Sequence, residues 1–78
     1  MTVRMQQGTI FIEGDCPSGD AEELLQFVLA DPAAIIDWRN CHSAHTAVVQ
    51  VLLAANREIL GPPQGAILAS VLAPALNR

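Results

Sequence analysis

The chain has 78 residues, of which 51% are hydrophobic and 15% charged; this excludes a disordered polymer and fits one domain with a small core, since a chain this short hides only about 60% of its unfolded surface. Four arginines, no lysine and eight acidic residues give a formal charge of −4. With no basic run, the balance argues against nucleic-acid binding, because phosphate backbones would be repelled.

Residues 3–7 and 9–13 alternate inward and outward and are joined by Gln7–Gly8, which predicts a β-hairpin. The GDCPSG stretch from Gly14 to Gly19 is loop chemistry. Asp20 followed by Glu23 is a capping-box spacing. A first helix is therefore expected over 21–30, with Ala21, Leu24, Leu25 and Val28 inward and Phe27 and Leu29 widening that face. Asp31–Pro32 ends it.

AAIIDW, residues 33–38, reads as a central strand buried on both sides. A strand, a helix and a strand in this order require a crossover, and the right-handed rule makes the two strands parallel, so the sheet is mixed. A second helix is expected over 44–60, with Ala44, Val48, Val51, Leu52, Ala55 and Ile59 on its apolar stripe. Gly61–Pro62–Pro63 breaks the chain, and a last helix is expected over 64–73. No charged residue lies between Gln64 and Asn77. Ile67, Leu68, Val71 and Leu72 are therefore expected to meet a second copy in a homodimer.

The amino terminus lacks the apolar stretch and cleavage site of a secretory signal, and no run reaches the roughly 18 apolar residues of a spanning helix. A cytoplasmic protein of bacterial style with no membrane span is the expectation. Cys16 and Cys41, the only cysteines, are then expected to be reduced, buried and inert.

The stretch CHSAHTAVVQ, residues 41–50, concentrates the chemistry-bearing side chains. On a helix, Cys41 with His45 or His42 with His45 could reach one ion, but a zinc site needs a further ligand pair that only Cys16, Asp15 or Asp37 could supply; no metal or other cofactor is expected. Cys41, His45 and Asp37 form the one conceivable nucleophile, base and orienting group. Neighbouring sequence positions seldom give that geometry, and so small a chain has little room for a substrate pocket, so no catalytic residue is assigned. Ser43 as a helix N-cap and Thr46 in the first turn make the third reading, a site where free amides and the helix dipole tolerate an added phosphate. The simpler alternative is that Ser43 caps and Thr46 packs.

AIIDWRNCHSAHTAVVQVLLAA, preceded by TIFIEGD and DAEELLQFVL, resembles a STAS domain, the fold of bacterial anti-sigma factor antagonists. In that family a strand ends in an aspartate, and an Asp-Ser-small-Gly motif opens a buried helix. Asp37 matches the strand-end aspartate, Thr46 the phosphorylatable serine, His45 the motif's aspartate and Val48 its glycine, so the motif is degenerate. The resemblance covers about residues 9–60, and the family's further strand, helix and final strand are missing. It implies a single shortened STAS-like α/β domain over 1–78, with a small mixed sheet and helices packed on it. It further implies a non-catalytic partner-switching module, phosphorylated at Thr46 or Ser43. Asp15, Asp37, His42, His45 and Thr46 form the expected surface for a kinase-like anti-sigma factor or sensor. The competing readings are an assembly protein that keeps the fold without the switch, and a metal-binding or thiol protein.

Overall fold

The computed structural model describes residues 2–65. The chain forms β1 (Val3–Gln6), β2 (Thr9–Cys16), α1 (Asp20–Ala30), β3 (Ile35–Ala44), α2 (Thr46–Ala55) and β4 (Ile59–Leu60). One sheet holds the strands in the order β1-β2-β3-β4. β1 is antiparallel to β2, while β2, β3 and β4 run parallel. This is the small mixed sheet with packed helices expected of the sequence. Among the described residues no helix is long and apolar enough to cross a membrane.

The hairpin turns at Gln7 and Gly8, both with positive φ (50° and 79°). That pair of conformations follows the right-handed twist of the flanking strands, which sets Gln6 against Thr9 and Val3 against Ile12. Both crossovers step the same way across the sheet, and right-handed connections then place both helices on one face. There they pack on each other, and α1 also covers β1 and β2. The core between the layers is a single cluster containing Val3, Ile10, Ile12, Leu24, Ile36, Trp38, Val48 and Leu52, all at most 1% exposed. On the opposite face, the Arg4 guanidinium lies 4.2 Å from the centroid of the Phe11 ring and 3.1 Å from Glu13 Oε1.

Several local expectations need correction. β2 continues three residues past Glu13 to Cys16 because β3 offers it a ladder over that whole length. Gly19, not Asp20, is the N-cap of α1, and no side chain caps it. Asp20 instead sits in the first turn with Glu22 and Glu23, where carboxylates suit the helix dipole. Leu24 and Val28 are buried, but Leu25 and Leu29 are 44% and 71% exposed, so the apolar face of α1 is narrower than its sequence suggests.

The second helix starts later and ends earlier than its pattern implies. Ala44 belongs to β3, and Asn56 closes α2 in the left-handed conformation (φ 50°), a geometry asparagine accepts more easily than most residues. Ile59 therefore leaves the helical stripe and pairs with Ile36 as part of β4. Arg57 lies between these elements and donates to the carbonyls of Val28 (2.9 Å), Asp31 (3.0 Å) and Ala34 (3.2 Å). It thereby satisfies acceptors at the end of α1 and places a cation at the negative end of the helix. The expected last helix, with its dimer contacts Ile67, Leu68, Val71 and Leu72, lies outside the described residues apart from Gln64 and Gly65.

Candidate functional site

The parallel strands β2 and β3 finish side by side, with Asp15 against Ser43 and Cys16 against Ala44. The ladder goes one step further, since His45 N–H donates to Cys16 O at 2.9 Å. α2 then begins at Thr46. An open cleft of about 350 Å³ lies beyond these strand ends, lined by Asp15, Cys16, Pro17, Ser43, Ala44 and His45.

Ser43 is in a strand and caps nothing. Its hydroxyl donates to Asp15 Oδ1 at 2.8 Å across the two strand ends. His45 is the N-cap of α2: its backbone is extended (φ −60°, ψ 150°) and its Nδ1 accepts the Ala47 N–H at 3.1 Å. Because Nδ1 is the acceptor, a neutral His45 ring carries its proton on Nε2. The His45 carbonyl also takes the Val48 and Val49 N–H groups at 2.9 and 3.2 Å. Thr46, the first helical residue, is exposed. Asp15, Ser43 and His45 thus line one cleft, and Thr46 follows His45 as the first residue of α2.

Two further expected residues lie elsewhere. His42 is exposed on β3, before the cleft. Asp37 is not at a strand end, because β3 continues to Ala44, and it sits roughly 15–20 Å before Ser43 along that strand. Only 7% exposed, it is held by Arg39, which donates to Asp37 Oδ1 from Nε at 3.0 Å and to Oδ2 from Nη2 at 2.8 Å. These bonds keep the Asp37 carboxyl below its ordinary ionisation range, against the opposing effect of burial.

The helical ligand spacings proposed for residues 41–45 do not exist, because Cys41 to Ala44 is extended. Among the described residues no three His, Cys, Asp or Glu side chains come together in a way that could hold a metal ion. The trio of Cys41, His45 and Asp37 is not assembled either. Cys41 is fully buried and donates to Ser43 O at 3.4 Å, His45 accepts from Ala47, and Asp37 is occupied by Arg39.

Beneath the cleft lie the two thiols. Cys16 is 3% exposed and donates to Glu13 O at 3.6 Å. Burial pushes the Cys41 thiol up to about 12, helped by the neighbouring Cys16, and burial also raises Cys16. Sequence reasoning missed Cys16, Pro17 and Ala44 as cleft residues. No local signal could have found them, since their meeting depends on the register between strands separated by a helix.

No family model, curated protein or solved structure matches this chain.

Proposed function

We propose that the chain is a non-catalytic protein-interaction module of the anti-sigma factor antagonist kind, a shortened STAS-like domain. In this reading it presents the ends of β2 and β3 and the first turn of α2 to a kinase-like or sensor partner in the bacterial cytoplasm. The observation that carries the reading is the position of Thr46. Its hydroxyl belongs to an exposed residue at the first position of α2, directly after the capping His45 that lines the cleft with Ser43 and Asp15.

A phosphate on Thr46 would stand at the positive end of the α2 dipole, where His45 already takes the Ala47, Val48 and Val49 N–H groups and the dipole supplies the attraction. It would add close to two negative charges to a surface a partner reads, without entering the core. Ser43 is the poorer acceptor of the two. Its hydroxyl already serves the Asp15 carboxylate, and a phosphate there would face that charge at hydrogen-bonding range. Self-association through Ile67, Leu68, Val71 and Leu72 belongs to the same reading and rests on their sequence pattern.

The test is a pull-down from the source cell with mass spectrometry of both partner and phosphosites. Phosphate on Thr46, together with partner binding altered by Thr46→Glu, is the expected result. Stoichiometric phosphate found only at residues away from the cleft and the first turn of α2, or Thr46→Ala and Thr46→Glu variants that bind like wild type, would leave the assembly-protein reading in its place.

A further inference from the structure

The floor of the cleft carries chemistry that partner recognition does not use. Cys16 lines the cleft, and Cys41 lies behind it in the core. β2 and β3 are parallel with Cys41 opposite Gly14, and Cys16 stands two residues beyond Gly14 on the same inward face. The thiols are therefore diagonal neighbours across one ladder, and the residue directly opposite Cys41 has no side chain to separate them. Each thiol donates to a carbonyl of its own strand, Cys16 to Glu13 O and Cys41 to Ser43 O.

A disulfide needs side chains that point at one another and Cα atoms within about 7 Å. Towards the first, the pair shares the inward face of two adjacent strands, which puts both sulfurs on one side of the sheet. The second falls on a part of the ladder that is already irregular, since the register shifts between Gly14 and Asp15. Such a segment can close a short distance without breaking the regular pairing of Ile10 with Ile36.

We propose that Cys16 and Cys41 form a redox site, oxidised through the cleft by a small hydroperoxide to a reversible intrachain disulfide. Access selects the reagent. At 3% exposure Cys16 admits only a small molecule, and the Asp15 carboxylate on the cleft wall, in a chain of charge −4, disfavours an anionic one. In the first step the Cys16 thiolate attacks one peroxide oxygen and the O–O bond breaks. Cys16 becomes a sulfenic acid, and the departing oxygen takes a proton to leave as water or an alcohol. In the second step the Cys41 sulfur attacks the Cys16 sulfur, the S–O bond breaks, and the hydroxyl leaves as water with the Cys41 proton. The two thiols lose two electrons and the peroxide gains them. Burial keeps the thiolate fraction of Cys16 small, so the first step is slow and accelerates as pH rises.

The proposal stands apart from the partner reading, and its test needs no partner. Full-length protein is treated with hydrogen peroxide, quenched with an alkylating agent and weighed intact, before and after a phosphine reductant. Trypsin cuts after Arg39, between the two cysteines, so an intrachain link joins two otherwise separate peptides. The expected product has lost the mass of two hydrogens, carries no alkylated thiol, contains the Cys16–Cys41 peptide pair and returns to the starting mass on reduction. Cys41→Ser, if circular dichroism shows it folded, should stop at a Cys16 sulfenic acid that dimedone captures. Two alkylatable thiols remaining in the peroxide-treated folded wild type, sulfinic acids in place of the link, or links only between chains would overturn the proposal.

Discussion

The two halves of the β2–β3 ladder are built differently. From Thr9 to Phe11, β2 pairs one for one with Ile35 to Asp37, and Ile10 and Ile36 point together into the core. Beyond that, β3 twice runs ahead of its partner. It advances three residues from Asp37 to Asn40 while β2 advances two from Phe11 to Glu13, and two from Cys41 to Ser43 while β2 advances one. Each extra residue is a bulge, which twists the strand and re-aims its side chains. The regular half makes core; the bulged half delivers Ser43 to Asp15 and His45 to the start of α2, building the cleft rim. Bulges at the carboxyl end of the sheet are thus part of how the cleft is made.

If the halves divide the labour in this way, substitutions should separate by magnitude. Trp38 is fully buried in the core, so Trp38→Ala should cost about 3–5 kcal/mol in chemical denaturation, enough to unfold a domain of this size. Trp38→Phe should cost about 1–2 kcal/mol, because among the described residues the indole N–H has no partner to lose. Arg57→Ala should cost about 2 kcal/mol by removing the donor to the Val28 and Ala34 carbonyls, while Asp31 O keeps the Ala34 N–H.

A smaller effect comes from Asp37, and it has a pH signature. Its folded-state ionisation is depressed by Arg39, so the stability it contributes is present above the unfolded carboxylate value of about 4 and is lost as pH falls through the lower folded value. Asp37→Asn should cost about 1 kcal/mol at neutral pH and give a shallower acid-side decline in melting temperature than wild type. Ser43→Ala, in the bulged half, should change stability by less than about 0.5 kcal/mol, since its bond to Asp15 is exposed. A large loss at Ser43 would mean that the rim is structural after all.

The same contrast governs what the sequence could disclose. The hairpin was legible because Gln7–Gly8 carries local turn chemistry, and the parallel crossover because a strand, a helix and a strand leave one handed solution. The site was only half legible. The inward positions of β3 are Ile36, Trp38 and Cys41, with partly buried Ala44 packing against the core. The two bulges stretch the strand's period from two toward three. Followed by Val48, that spacing imitates a helix, and it drew the expected start of the second helix back into β3. The cluster's location was therefore found while its geometry was misassigned: His45 caps in place of Ser43, and Asp37, taken for a strand end, lies within a strand whose full length depends on pairing with β2. Ile59 joined the helical stripe for a similar reason, because nothing local distinguishes a helix that continues from one that Asn56 ends.

The claim that matters most is that the bulged end of the ladder, and not the regular end, meets the partner. Amide hydrogen exchange on the folded chain, alone and saturated with the partner recovered by the pull-down, tests it directly. Protection gained at residues 15–17 and 43–47, with the amides of residues 3–12 unchanged, is the predicted result. Protection concentrated on β1 or β4, with residues 43–47 exchanging as in the free protein, would contradict it.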